Sequence, residues 1–207
     1  MILLLHGLGL SHRYFARLQP LLPGPTAVDL QGTTLDDMTA SVARAAERGT
    51  LVVANSLGAQ IATELAVRSP ESVRALVLTG PTWDPAAPSL PAQFLRLLAD
   101  SYREQPSLVP VALADYARRG PLHILQAARS MLRHPMAERL AQVAAPVLIV
   151  RGSADPICTQ QWAERLAAAP ADGRLVTVQG AAHAVDWSHP GAVVQAVEEV
   201  QQALGER

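Results

Sequence analysis

The segment Leu51-Val52-Val53-Ala54-Asn55-Ser56-Leu57-Gly58 constrains the fold of this chain more than any other. An apolar, β-branched run with no polar alternation must be covered on both faces if it is a strand. That is the condition of a parallel sheet flanked by helices. The run stops abruptly at a serine, and a helical pattern follows at once through residues 59–68. So short a reversal brings the strand and helix backbones almost into contact, which demands small side chains at Ala54 and Gly58. A serine held on such a turn projects its hydroxyl above the sheet edge, a geometry suited to a nucleophile. Alone, Ser-Leu-Gly also fits an ordinary turn, so the rest of the chain must decide.

Other short apolar runs, at 2–5, 26–30, 72–79, 145–151 and 174–179, alternate with amphipathic helical patterns. Ser11 can cap a helix through Leu22, with Tyr14, Phe15, Leu18 and Leu21 on one face. Thr33 or Thr34 caps a second, carrying Leu35, Met38, Val42 and Ala45 and ended by Gly49. Helices are also expected at 157–169 and 191–204. The alternation predicts a doubly wound α/β fold, with a mostly parallel sheet of about six strands and helices on both faces. In such sheets ligands bind beyond the carboxyl ends of the strands, so residues just after strands carry the chemistry.

The alternation breaks between residues 82 and 135, where Pro85, Pro88, Pro91, Pro106, Pro110, Pro121 and Pro135 punctuate helical pieces at 90–102, 108–119 and 122–132. A core of residues 1–81 and 136–207 interrupted by a helical lid at 82–135 is the expected organisation, because the insertion falls beside the serine turn. A packed helical subdomain without a gating role is the other reading.

Composition narrows the function classes. A chain of 207 residues suits one domain, and its net charge of -1, with every one of its 17 basic residues an arginine, leaves no footprint for nucleic acid or an acidic membrane. The single cysteine, Cys158, excludes an internal disulfide framework, and His12, His123 and His134 lack metal-ligand spacing. No cofactor or metal is implied. No run approaches a membrane span, and Met1 to Leu5 is too short for a signal sequence, so a cytoplasmic protein is expected.

Four features fall at strand ends: His6-Gly7-Leu8-Gly9, Ser56, Gly152-Ser153-Ala154-Asp155-Pro156-Ile157 and Gly180-Ala181-Ala182-His183. The order Ser, Asp, His along the chain, with these loops around it, resembles the α/β-hydrolase superfamily over nearly the whole sequence. His6-Gly7-Leu8-Gly9 resembles its H-G-x-G loop, and Asp29-Leu30-Gln31-Gly32 its D-L-P-G turn with Gln31 in place of proline. Ala54-Asn55-Ser56-Leu57-Gly58 matches the nucleophile elbow except at Ala54. Because Met1 stands almost directly on the first strand, a trimmed member without the family's N-terminal hairpin is expected. The resemblance implies Ser56 as nucleophile, His183 as base and Asp155 as the acid that orients it. The residue types fit these roles. A serine hydroxyl is too weakly acidic to attack unaided, an imidazole takes its proton near neutral pH, and a carboxylate stabilises the imidazolium. The backbone N–H of Leu57, next to the nucleophile, and that of Leu8, by resemblance, form the oxyanion hole. Asp84 is a rival acid, at a position some members use. His6 is expected to orient the oxyanion loop, Asp186 and His189 to be surface or packing residues, and Cys158 to pack in the core.

The resemblance implies a serine hydrolase that cleaves a small carboxylic ester or thioester through an acyl-enzyme on Ser56, with a small-molecule acyl substrate as its partner. A carbon–carbon bond hydrolase of diketone-type substrates and a catalytically silent binding member are the alternatives. Dehalogenases and epoxide hydrolases are disfavoured, since they carry Asp where Ser56 stands. Leu90, Phe94, Leu97, Leu98, Leu108, Val111, Leu122, Ile124 and Leu125 can supply an apolar roof. Arg118 and Arg119 can meet an anionic substrate or simply face water.

Overall fold

Each expected apolar run is a strand, and all the strands run the same way. A computed structural model describes residues 1–205 of the chain. It contains β1 (Ile2–Leu5), β2 (Pro25–Val28), β3 (Thr50–Asn55), β4 (Val73–Thr79), β5 (Val147–Gly152) and β6 (Gly173–Val178), paired in parallel in the order β2-β1-β3-β4-β5-β6. The order reverses between β1 and β3, so the crevice of a doubly wound sheet opens at their carboxyl ends. Leu5 lies in register with Ala54, Asn55 with Thr79, and Gly152 with Val178. The loops beginning at His6, Ser56, Gly80, Ser153 and Gln179 therefore emerge along one edge of the sheet.

The helices are α1 (Leu35–Ala43), α2 (Leu57–Arg68), α3 (Leu90–Ser101), α4 (Val109–Arg119), α5 (Pro121–Met131), α6 (Met136–Leu140), α7 (Gln160–Ala167), α8 (Val185–Ser188) and α9 (Pro190–Gly205). Strand residues alternate between two cores, as the two-residue period requires. Leu3, Leu5, Val52, Leu76, Leu78 and Ile149 pack with Met38 and Val42 of α1, Ile61 and Leu65 of α2, and Trp162 and Leu166 of α7. Leu4, Leu51, Val53, Val77, Leu148 and Val150 pack with Tyr14, Phe15 and Leu18 and with Val193, Val197 and Val200 of α9. Each large apolar side chain so buried contributes about 1.5–3 kcal/mol. None of the helices of the described residues is long and apolar enough to cross a membrane.

Three local expectations fail. The helix expected from Ser11 to Leu22 is two short 3-10 turns, His12–Phe15 and Gln19–Leu21. Pro20 lacks an N–H, and its ring conflicts with the carbonyl four residues back, so a continuous helix cannot pass it. Ser11 still caps the first turn. The first long helix ends at Ala43, and Gly49, at φ 70°, instead turns the chain into β3. The helix expected at 157–169 begins only at Gln160, capped by Thr159, because the preceding residues wrap the Asp155 carboxylate.

The segment 82–135 contributes α3, α4 and α5 and lies over the carboxyl edge. A Cβ placed on Gly9 would sit 2.7 Å from the Tyr116 ring and 3.3 Å from Ile124, so α4 and α5 rest on the His6–Gly9 loop. Arg119 donates to the Leu30 carbonyl at 2.9 Å, and Ser130 Oγ accepts the Leu35 N–H at 2.9 Å. Phe94, Leu97, Leu98, Leu122 and Leu125, expected as a roof, are exposed instead; Leu108 joins the core that holds Tyr14, Phe15 and Leu18.

Candidate active site

Ser56 occupies a backbone conformation that almost no serine adopts without cause, with φ 54° and ψ -113°. It is the sole non-glycine residue at positive φ among the described residues. Such strain persists only where the surroundings over-determine it. Here the Ser56 N–H donates to the Thr79 carbonyl at 3.0 Å, and its own carbonyl accepts the Ala59 N–H at 3.0 Å. Behind the turn, α2 crosses β1 so closely that a Cβ on Gly58 would lie 2.3 Å from the Leu5 carbonyl oxygen. The Gly7 position is tight but less so, with a Cβ meeting Asn55 Oδ1 at 3.0 Å and Ser56 Cβ at 3.2 Å. The His6 loop is thereby pressed against the serine.

His183 and Asp155 meet from neighbouring loops. His183 Nδ1 and Asp155 Oδ2 are 2.8 Å apart, the carboxylate is fully buried, and its Oδ1 accepts the N–H groups of Ile157 at 2.7 Å and Cys158 at 2.9 Å. The two loops are stitched together by Ala154 N–H to Ala181 O at 2.9 Å and Gly180 N–H to Ser153 Oγ at 2.8 Å. The His183 ring lies against Gly80, where a Cβ would meet Nδ1 at 2.9 Å. Gly80 follows Thr79, whose carbonyl receives the Ser56 amide, so the serine turn and the imidazole flank the same residue pair. The Ser56 hydroxyl makes no hydrogen bond to a protein group among the described residues, His183 included. Bonds of this kind are commonly long before substrate binds.

Burial works against a charged imidazole at His183, but Asp155, followed by Asp100 and Glu104, outweighs it and pushes the pKa up to about 9. His6 behaves oppositely. Burial is the main reason its pKa falls to about 4. Its Nε2 accepts the Leu30 N–H at 3.2 Å, so the proton sits on Nδ1, 2.9 Å from the Gly7 carbonyl. A neutral imidazole with both nitrogens used holds the loop and moves no proton, as its sequence context suggested. The N–H groups of Leu8 and Leu57 are not taken by any internal acceptor among the described residues; that of Leu57 is an orphan of the α2 N-terminus. A cavity of about 10 Å³ beside them is lined by His6, Leu8, Leu57, Arg119 and His123. A wider cleft of about 410 Å³, lined by Ser11, His12, Asp29 and Arg118, adjoins it at Arg119 but does not reach Ser56 or His183.

The rival acid is engaged elsewhere. Asp84 pairs with Arg96 at 2.7 Å and accepts from Thr159 Oγ1 at 3.0 Å and the Ala86 N–H at 2.9 Å. It ties α3 to the loop before α7 and does not meet His183. Cys158 is fully buried, and burial pushes its thiol well above its usual value, which fits packing. Arg118 is exposed, whereas Arg119 is partly buried on Leu30. Asp186 is no surface residue: it is wholly buried and accepts from Thr79 Oγ1 at 2.7 Å and Tyr14 Oη at 3.2 Å. Burial is the main cause of its pKa rising to about 6. The apolar neighbours Ala184, Val185 and Trp187 were the signal for that burial. Asp100 and Glu104 carried no comparable signal. They meet the amides of His183 and Ala184 from a helix end that reads as a solvated face.

A family model described as "Alpha/beta hydrolase family" matches residues 2–196. A pimeloyl-[acyl-carrier protein] methyl ester esterase of Neisseria meningitidis serogroup A is 32% identical over 228 residues, covering 92% of this chain and 73% of that protein. A protein of the same description from Yersinia pestis is 27% identical, covering 91% and 88%. Among solved structures, a thermophilic esterase superposes with a TM-score of 0.81 at 19% identity, covering 99% of this chain and 90% of that one. E-2-(acetamidomethylene)succinate hydrolase does so with a TM-score of 0.78 at 21% identity, covering 98% and 91%. At those identities the structures speak for the fold alone. With the family model spanning nearly all of it, the chain belongs to the alpha/beta hydrolase family and is a hydrolase.

Proposed function

We propose that the protein is a serine esterase in which Ser56 is the nucleophile, His183 the general base and Asp155 the residue that orients it. The observation that carries this reading is the 2.8 Å contact between His183 Nδ1 and the buried Asp155 carboxylate, on the same sheet edge as a serine at positive φ. With Nδ1 occupied, Nε2 is the nitrogen left to take the Ser56 proton. As the Ser56 Oγ–carbon bond forms, the carbonyl oxygen gains charge and the N–H groups of Leu8 and Leu57 receive it. One such donor is worth about 3 kcal/mol in the transition state. The alcohol leaves with the proton from His183, giving an acyl-enzyme. A water then yields its proton to His183 and its hydroxyl to the acyl carbon. The carboxylic acid departs, and Ser56 recovers its proton.

The relatives of 27–32% identity act on the methyl ester of a pimeloyl chain carried by acyl-carrier protein, which favours an ester over a thioester or a diketone here. The substrate class proposed is the methyl ester of a medium-length acyl chain. The cavity beside Leu8 and Leu57, about 10 Å³, holds no acyl group, so the segment 82–135 acts as a lid that must shift to admit one.

The test is fluorophosphonate labelling and ester turnover by wild type and Ser56→Ala. Labelling should vanish in the variant, and turnover should fall by about 10³-fold or more. Labelling that survives would remove Ser56 as nucleophile. Methyl esters of free and carrier-linked acyl chains, assayed beside aryl esters and a vinylogous diketone, then define the substrate. Cleavage of the diketone without any ester would return the carbon–carbon hydrolase reading.

A further inference from the structure

The end of α3 and the turn that follows it bring two carboxylates to the histidine loop. Asp100, 3% exposed, accepts the His183 N–H at 3.1 Å through Oδ1. Glu104 accepts the next amide, that of Ala184, at 2.5 Å through Oε1. Arg103 and Glu104 both donate their N–H groups to the Asp100 carbonyl, at 2.7 and 3.1 Å, so one closed turn carries both acids. Glu104 Oε2 is buried with no hydrogen-bond partner among the described residues. No arginine salt bridge joins either acid among the described residues.

Such an arrangement is costly. Two like charges four residues apart repel, and carboxylates taken out of water with no arginine partner pay a desolvation penalty. Packing alone would be served better by uncharged side chains. What distinguishes the site is its target. The acids grip two successive backbone amides of one loop, beginning at the residue whose ring holds Asp155. We propose that Asp100 and Glu104 are positioning residues for His183, holding the backbone of the imidazole loop while Asp155 holds the ring, and adding negative charge that stabilises the imidazolium formed when Ser56 loses its proton. This rests on the reading of His183 as the general base. Because both acids belong to the segment 82–135, the pair also makes the seating of that segment a condition for a correctly held histidine.

The electrostatic surroundings are consistent. His183, Glu104 and Asp155 face Asp100, whose pKa is raised to about 7, chiefly by burial. Tyr116 of α4 and Tyr14 are pushed up, first by burial and then by the acids around them, Asp100 among them. Asp186 also feels the charge of His183. His183 is thus the one group in this cluster able to carry a positive charge.

The experiment compares the full-length wild type with Asp100→Asn, Asp100→Ala, Glu104→Gln, Glu104→Ala and His183→Ala, on a short aryl ester, from pH 5 to 10, with melting temperatures taken on the same samples. The asparagine and glutamine variants keep an oxygen acceptor and lose the charge. They should retain kcat on the high-pH plateau within about threefold, while the midpoint of the acid limb moves to lower pH by about half a unit or more. The alanine variants lose the acceptor too, and kcat should fall about tenfold with KM changed by less than about twofold. Should the alanine variants fail to fold, the displaced midpoint of the isosteric variants decides. An unmoved midpoint in both isosteric variants overturns the proposal, as does a change confined to melting temperature. His183→Ala separates the two levels: if it retains full turnover, the general-base reading falls and this proposal with it. If it is inactive while the acids prove inert, the positioning role alone is lost.

Discussion

Ala54 and Gly58 flank the same turn, yet they tolerate different side chains for different physical reasons. The Ala54 methyl points into the core shared by α1 and α2 and is fully buried there, so it fills space that a glycine would leave empty. A methyl on Gly58 would meet a backbone carbonyl at 2.3 Å, and backbone does not yield as a flexible side chain does. Gly58→Ala should therefore destabilise the protein by about 3 kcal/mol or more, and Ala54→Gly by about 1 kcal/mol, in urea titrations. Equal midpoints for the two variants would mean that the close crossing of α2 over β1 is not what selects glycine. Ser56, Asp155 and His183 stood out as candidates in the sequence because each lies in a loop that follows an expected strand, directly for Ser56 and a few residues on for the other two. Asp100 was not: its partner is a backbone amide 83 residues away, and no side-chain pattern announces a backbone amide.

Helix α2 starts at the serine turn, and its far half is held by charge. Glu64, on α2, pairs with Arg68 at 2.7 Å, with Arg139 of α6 at 2.6 Å and with His134 at 3.0 Å, and its side chain is only 5% exposed. Burial raises the Glu64 pKa, but the hydrogen bonds from Arg139, His134 and Arg68 prevail and bring it down to about 2. Glu64→Ala leaves those partners uncompensated, and a loss of about 3 kcal/mol is expected. The folded pKa is depressed, so the stability Glu64 supplies is present above its ordinary value of 4.5 and disappears as pH falls towards 2. Wild type and Glu64→Ala should thus converge in chemical denaturation as pH drops below 4.5; a constant gap would assign the loss to packing. Elements of this kind were readable from period and caps, as Thr34 demonstrates. The stretch from Ser11 to Leu22 was misread because its apolar spacing is helical while Pro20 forbids the hydrogen bond that the spacing calls for. Apolar positions at 94, 97 and 98 were read as a roof although they face water, because a stripe on a helix does not reveal which side is covered.

Across the whole molecule, catalysis and stability place opposite demands on one imidazole. In the proposed mechanism His183 must be neutral to accept the Ser56 proton, yet its surroundings raise its pKa to about 9, Asp155 prevailing over the effect of burial. Esterase kcat/KM should therefore climb with pH through the range from 6.5 to about 9, with a midpoint well above that of an ordinary histidine. Stability runs the other way. A histidine whose folded pKa exceeds its unfolded value contributes fully below the unfolded value of 6.5, and that contribution is lost as pH rises through about 9. A shift of this size corresponds to about 3 kcal/mol. His6 has the opposite sign: its folded pKa of about 4 withdraws stability as pH falls from 6.5 towards 4, so it leaves the alkaline range untouched. Melting temperatures of wild type and His183→Asn, measured between pH 6 and 9.5, separate these effects. Wild type should lose its advantage over the variant as pH rises across the window in which its activity grows. Parallel curves would mean that the imidazole is not held in its charged form by the fold, and the high-pH activity midpoint would have to come from another group.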